Sequence, residues 1–319
     1  MSEAKRWTAE IPLAYAGRRL DQALAALFPE VTRSQLQQWI EAGRVLVAGR
    51  APRKRDRVKG GEAVMIDVPP PESAPAAEDI ALDIVHEDED LLVLNKPPGL
   101  VVHPGAGNPR GTLFNALLHH APALARLPRA GIVHRLDKDT SGLLAVAKTE
   151  RARQALIRAL AAREVKREYV ALVNGVMVAG GTVEAPIGRH PVERTRMAVT
   201  GRGKAAVTHY RVLKKYRTHT LVQVSLESGR THQIRVHLAH IRYPIVGDPV
   251  YGGRPRIPPA ADPALAAQLR SFRRQALHAA KLALVHPTTG QELRWAASVP
   301  PDMAALMELL AADVRAHAE

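Results

Sequence analysis

Two carboxylates, Asp137 and Asp139, stand two residues apart in GIVHRLDKDTSGLL, residues 131–144. His134 and Arg135 precede them, and Thr140-Ser141-Gly142 follows. Apolar residues flank the insert on both sides: Ile132 and Val133 before it, Leu143, Leu144 and Val146 after it. A doubly acidic insert between strand-like apolar runs reads as a loop that strands hold in place, where a carboxylate could serve as base or nucleophile. Spacing alone fits a surface turn better, with Asp139 or Thr140 capping it and Gly142 supplying the turn geometry. Glycosidase carboxylates face the scissile bond from two sides, so a pair on one short loop suits that chemistry poorly.

Other side chains invite chemistry. Tyr169 lies in the strand-like run Val165–Val173, where an ordinary strand aromatic is the simpler reading. In ESGRTHQIRVHLAH, residues 227–240, Thr231 reads as a helix N-cap and Ile234, Leu238 and Ile241 as the buried face. Arg230 then sits just before the helix and Arg235 within it. The chain has 14 histidines, with His232, His237 and His240 close together and His103 and His134 elsewhere. His237 and His240 could share a helical face. With no H-E-x-x-H string, no cysteine and no acid in that helix, a ligand set is not met and no metal is expected.

These groups need a scaffold. At 319 residues the chain has room for one large domain and a small one, and 46% hydrophobic residues with only 4% aromatics imply an aliphatic core. Lysine and arginine total 45 against 31 acids, a net charge of +14, which points to a polyanionic partner, nucleic acid first. An anionic membrane surface is the rival, but no apolar run approaches a membrane span and no helix is basic on one face and bulky-apolar on the other. The absence of cysteine excludes disulfides, thiol catalysis and cysteine-ligated zinc. The first residues carry no apolar signal core, which fits a cytoplasmic protein.

In chain order, Leu20, Ala23, Leu24 and Leu27 repeat at helical spacing. Thr32 then caps a second helix with Leu36, Trp39 and Ile40 on one face. Val45–Val47 and Ala63–Ile66 read as strands around the basic loop Arg53–Arg57. Residues 69–79 are proline-rich and poorly apolar, a linker between a domain at 1–68 and another at 80–319. The second domain opens with a hairpin, Ile84–Val85 and Leu91–Leu94, around an acidic turn read as solubilising. A helix follows at Leu113–Leu118, then one capped by Thr149 and running to about Ala162. Residues Pro186–Val207, with Arg189, Arg194, Arg196, Arg202 and Lys204, read as a loop or irregular hairpin near RNA. Strands Ala206–Val212 and Leu221–Leu226, a hairpin Leu277–Val285/Leu293–Ala297 and a helix from Pro301 complete the chain. Strands joined by hairpins and outnumbering crossover helices argue for an α+β domain with a mainly antiparallel sheet.

HRLDKDTSG, NKPPGLVVHPG, KREY, ESGRTHQIRVHLAH and GDPVYGG together resemble the RluA-type pseudouridine synthases, and GRRLDQAL…TRSQLQQWIEAGRVLVAGR resembles the S4 RNA-binding module. The resemblance spans nearly the whole chain. It implies a pseudouridine synthase fold behind a small αα/β S4 domain, and isomerisation of uridine to pseudouridine without a cofactor. It implies Asp137 as the catalytic residue, Tyr169 as the phenol beside the target base, and an arginine paired with Asp137. Arg230 is the expected partner and Arg235 the alternative. Arg135 resembles a residue that fills the stack vacated by a flipped-out base, and Arg33, Arg44, Arg53, Lys54 and Arg55 are expected at RNA. The implied substrate is 23S ribosomal RNA in a pre-50S particle, in the helix 69 stem-loop, acted on by a monomer without membrane contact. The rivals are a sister synthase acting on other ribosomal sites and a non-enzymatic binder in large-subunit assembly.

Overall fold

The computed structural model describes residues 6–29, 31–68, 76–105, 107–193 and 195–318, with only the backbone of Ser34. The chain divides into two compact units, Met1–Pro75 and Ala76–Glu319. The linker expected at 69–79 falls mostly on 69–75, outside the described residues, as does Arg194. Residues 76–79 are tied into the second unit: Ala76 O accepts from Asn115 Nδ2 at 2.8 Å and the Glu78 carboxylate accepts from Gly111 N at 3.1 Å.

The first unit contains β1 (Arg6–Glu10), α1 (Leu20–Leu27), α2 (Arg33–Glu41), β2 (Val45–Val47) and β3 (Ala63–Asp67), with β3 central in an antiparallel sheet. Strand β1 went unseen in the sequence because five residues with two charges carry little period-two signal. Helix α2 begins as its sequence dictates: Thr32 Oγ1 accepts from Gln35 N at 3.3 Å, and Gln35 Oε1 accepts from Thr32 N at 3.0 Å. Leu20, Leu24, Leu36, Ile40, Val45 and Ile66 fill the core. Trp7 stacks on Phe28 at 5.4 Å and meets Trp39 edge-on at 6.0 Å, which closes one end of it.

The second unit runs β4 (Ile84–Glu87), β5 (Leu91–Lys96), α3 (Leu113–His120), β6 (Ser141–Ala147), α4 (Glu150–Ala161), β7 (Lys166–Asn174) and β8 (Gly181–Glu184). It continues with β9 (Ile187–Arg189), β10 (Met197–Val199), β11 (Val207–Lys215), β12 (His219–Leu226), α5 (Gln233–His240), α6 (Pro263–Ser271), β13 (Leu277–Val285), β14 (Glu292–Ala296) and α7 (Pro301–Ala316). Among the described residues a nine-stranded sheet has the order β4-β5-β6-β13-β7-β12-β11-β8, with β14 also paired to β13. Its pairings are antiparallel except β6 with β13. β9 and β10 make a separate hairpin from the arginine-rich stretch.

Both faces of the sheet's centre are covered, so β5 and β6 are continuously apolar rather than alternating. Leu92, Leu94, Leu144 and Val146 pack under Leu113 and Leu117 of α3 and into the core shared with α5, α6 and α7. Leu91, Val93, Leu143 and Ala145 face the other way, with Leu156 of α4 and Leu282 and Leu284 of β13. Thr149 caps α4 as expected, accepting from Ala152 N at 3.2 Å. The acidic turn between β4 and β5 does more than solubilise. Asp88 accepts from the Asp90 and Leu91 amides at 2.8 Å and faces His86 and His286, and Asp90 accepts from Thr149 at 2.6 Å and Thr288 at 2.5 Å.

Candidate active site

The acidic loop emerges at the start of β6, beside the strand that crosses the middle of the sheet. Its turn closes by Thr140 N donating to Asp137 O at 3.1 Å. Gly142 is not the turn residue. It lies within β6 at φ +114, where a Cβ would stand 2.3 Å from Ala279 O of β13. Only glycine lets the two backbones approach where the parallel pairing starts.

Backbone anchors fix the loop further. Lys96 at the end of β5 is fully buried, and its Nζ donates to Pro97 O at 2.7 Å, Leu100 O at 2.9 Å and Lys138 O at 2.8 Å. Burial pulls its ammonium down to about 7, with Asp139 and Asp137 opposing. The three carbonyls use all three ammonium hydrogens and likewise favour the charged form. Arg274 Nη1 donates to Asp139 O at 3.3 Å, and Gln275 Nε2 donates to Thr140 Oγ1 at 3.0 Å. Asp139 thus helps hold the loop through its carbonyl, and Thr140 through its amide and its hydroxyl, which meets Gln275 rather than capping the turn.

The arginine on Asp137 is Arg235, not Arg230. Arg235 Nη1 donates to Asp137 Oδ2 at 2.9 Å, while its Nε and Nη2 grip Asp248 at 2.7 and 2.9 Å. Arg230 instead turns its Nε to Ala205 O at 3.2 Å, on an exposed segment. The reason is the helix start. Thr231 is not the cap: α5 begins at Gln233, after His232 in a left-handed conformation at φ 56. The Gln233 side chain closes the entry, its Oε1 accepting from Arg230 N at 3.0 Å and from Ser228 Oγ at 2.8 Å. Arg235 therefore stands in the first turn of a helix buried from Gln233 to Leu238.

Asp248, from the GDPVYGG string, is the group the sequence reading missed. It is buried, and its Oδ1 also accepts from Val250 N at 2.9 Å and Tyr251 N at 3.0 Å. A carboxylate with two backbone donors and a bidentate guanidinium makes a rigid seat, leaving the third arm of Arg235 for Asp137. The side chain of Asp137 is 19% exposed and that of Arg235 only 5%, so the acid reaches the surface and its support does not.

Tyr169 lies on β7, paired with Val224 and Ala279, and is buried. Burial raises its phenol above the ordinary value; Arg167 opposes this and the charge of Asp137 adds to it. Arg135 is exposed on the same loop, two residues before Asp137.

The expected RNA contacts of the first unit lie on its surface but are not all unattached. Arg33 binds the buried Asp21 through Nε at 3.1 Å and Nη2 at 2.7 Å, beside Arg19 and Gln37. Burial pushes Asp21 up, but these donors outweigh it and bring its carboxyl to about 2. Lys54 pairs with Glu41, whereas Arg44, Arg53 and Arg55 are exposed.

The histidines separate. His237 is buried between Thr208 Oγ1 at 2.8 Å and Ala185 O at 2.9 Å, while His240 is exposed. Among the described residues no group of three or more histidines and acids is arranged to hold a metal.

This loop, its buried arginine and the neighbouring phenol lie in a region with known counterparts. The RNA pseudouridylate synthase family profile matches residues 90–240, and the S4 domain profile matches residues 18–64. The chain belongs to the RNA pseudouridylate synthase family, in the form that carries an S4 domain. Among curated relatives it is 54% identical to the ribosomal large subunit pseudouridine synthase D of Escherichia coli K12, over 99% of this chain and 98% of that one. It is also 54% identical to the protein of the same name from Pseudomonas aeruginosa, over 98% of each. Among solved structures, human RNA pseudouridylate synthase domain containing 4 superposes with a TM-score of 0.56 at 28% identity, covering 72% of this chain and 92% of that one. No helix among the described residues is long and apolar enough to cross a membrane.

Proposed function

We propose that this chain isomerises uridines to pseudouridine in 23S ribosomal RNA, in the helix 69 stem-loop, acting as a cytoplasmic monomer on a pre-50S particle. The observation that carries the reading is Asp137, partly exposed and held at 2.9 Å by a buried Arg235. A pure RNA binder has no reason to keep a carboxylate at an RNA-facing surface, because like charges repel. The target's support is the likeness over nearly full length to relatives named for the large ribosomal subunit.

The reaction breaks the N1–C1′ bond, turns the uracil and joins C5 to C1′. The C5 proton leaves and N1 gains one, so the balance needs no oxidant, reductant or water. Asp137 acts on the sugar, as nucleophile at C1′ or base at the C2′ proton, and Arg235 keeps its second oxygen fixed. Tyr169 stands for the step that removes the C5 proton, directly or through a positioned water. A stacked nucleotide hides C1′ and C5, so the target must be flipped out at about a few kcal/mol, with Arg135 filling the gap. The exposed Arg44, Arg53 and Arg55 supply a second, salt-sensitive grip.

The test is pseudouridine mapping on unmodified large-subunit ribosomal RNA with wild type, Asp137→Asn and Asp139→Asn. Pseudouridine formed by wild type and Asp139→Asn, and lost in Asp137→Asn with RNA binding retained, supports the assignment, and the mapped positions test helix 69. Tight binding without pseudouridine would leave the assembly binder in its place.

A further inference from the structure

Beside Asp137 stands a second polar side chain that the chemistry above leaves unused. His232 Nε2 lies 3.9 Å from Asp137 Oδ1, on the carboxylate oxygen that Arg235 does not hold. That gap is too long for a direct N–H···O bond. The other ring nitrogen is engaged, since His232 Nδ1 lies 2.9 Å from the Tyr251 hydroxyl oxygen.

The partners of Tyr251 favour one placement of the ring hydrogen. Its hydroxyl oxygen accepts from Met197 N at 3.0 Å, on the first residue of β10. With one acceptor position of that oxygen taken, the phenol's own hydrogen is free to go to His232 Nδ1, an arrangement in which Nδ1 accepts and Nε2 carries the hydrogen. That hydrogen faces the space beside Asp137. The groups around the ring support an uncharged imidazole: burial lowers its pKa, Asp137 and Asp248 oppose this, and Arg235 and Arg135 add to it.

The support is built in. The Tyr251 ring lies beside two guanidinium groups, Arg235 at 5.1 Å and Arg196 at 5.5 Å. Arg196 also donates from Nη2 to Val250 O at 3.0 Å. The β9–β10 hairpin is thus fastened to the residue that orients His232. The left-handed backbone at His232, φ 56, turns this side chain out of the helix row.

We propose that His232 is a further catalytic residue: its Nε2–H donates to O2 of the flipped-out uracil beside Asp137, and Tyr251, fastened to the β9–β10 hairpin, fixes that tautomer. The inference rests on the pseudouridine synthase reading. O2 is the carbonyl nearest the N1–C1′ bond, and negative charge builds on it as N1 leaves the sugar. A donor fixed in advance at that point lowers the barrier to cleavage.

The test uses full-length protein and a ribosomal RNA fragment that the wild type modifies, with single-turnover rates and RNA affinity measured separately. His232→Ala is expected to cut the rate by about 10²-fold, the usual cost of one such donor, with RNA affinity within about twofold. His232→Gln, whose amide nitrogen reaches the Nε2 position, is expected to recover at least about tenfold of that, and His232→Asn, whose amide stops near Nδ1, is not. Tyr251→Phe is expected to slow the rate by about tenfold, in the range for an orienting neighbour. ¹⁵N imidazole shifts of the free protein report the tautomer directly. They should show Nε2–H in the wild type and a mixture in Tyr251→Phe. Thermal melts identify any variant that fails to fold. A wild-type rate in His232→Ala, equal rates in the Gln and Asn variants, or an Nδ1–H tautomer in the wild type would overturn the proposal. Absence of pseudouridine from the wild type itself would strike the underlying reading instead, and the tautomer measurement is independent of it.

Discussion

Removing Arg235 should do two separable things. The side chain spans two carboxylates, Asp248 by two bonds and Asp137 by one. Arg235→Leu leaves Asp248, whose side chain is 0% exposed, with its charge facing an apolar group. Breaking a buried pair from one side costs about 3–5 kcal/mol. For a unit of this size that lowers the melting temperature by on the order of 10 °C. Arg235→Lys keeps the charge but replaces three spread guanidinium nitrogens with one, so the bidentate grip on Asp248 and the arm to Asp137 are not both reproduced. Losing the charge-assisted bond to Asp137, about 1.5–3 kcal/mol, corresponds to a rate loss of roughly 10–10²-fold. Arg235→Leu combined with Asp248→Asn removes the stranded charge while Asn keeps an oxygen for Val250 N and Tyr251 N. It should recover most of the melting temperature and none of the rate. Arg230→Ala, at an exposed site, should change stability by no more than about 0.5 kcal/mol and leave the rate near wild type. Calorimetry and single-turnover release of tritium from C5-labelled uridine read the two effects separately. If Arg230→Ala is slow while Arg235→Lys keeps the wild-type rate, the assignment of the pairing arginine is wrong.

Three further outcomes follow from the same geometry. His134 is half-buried, its Nε2 accepts from Ala145 N at 3.0 Å, and desolvation lowers its pKa from 6.5 to about 3. The unfolded chain therefore takes up this proton first, so the contribution is full above pH 6.5 and lost as pH falls towards 3, by about 2 kcal/mol at pH 5. His134→Gln keeps an acceptor without titrating, so denaturation at pH 7 and 5 should show a shallower pH dependence than wild type; equal slopes would refute this. Tyr169→Phe should slow tritium release from C5 by at least about 10²-fold with little change in melting temperature, and unchanged release would exclude the phenol from that step. Asp21→Asn should destabilise the first unit by about 1–3 kcal/mol by loosening Arg19 and Arg33, read as the loss of a separate melting transition at its wild-type temperature; an unmoved transition would show the cluster to be energetically idle.

The elements that depend on local signals were legible in the sequence. Thr32 and Thr149 begin helices because a hydroxyl oxygen placed before an apolar-periodic run satisfies free amides there. The β4–β5 hairpin and the β13–β14 hairpin followed from apolar runs around turn residues. The start of α5 misled, because Thr231 is an ordinary cap by composition whereas the entry is closed by the Gln233 side chain from inside the helix. The helix thus starts one residue later than Thr231 predicts, and Arg235 in its first turn, not Arg230 before it, meets Asp137. Gly142 read as a turn because the approach of β13, 137 residues later, leaves no local trace.

The sequence by itself determined the family, the loop that bears Asp137, the aliphatic core and the basic character of the surface. These rest on residue types and short-range spacing, which a linear string contains. Tertiary structure decided which arginine meets Asp137, since that depends on Asp248 reaching Arg235 across 13 residues and Asp137 across 98. It also decided that Lys96 holds the loop through backbone carbonyls, and that Tyr251 joins the β9–β10 hairpin to His232. Such pairings have no periodicity. They exist because the folded sheet brings distant charges into a space with little water, where each must find a partner.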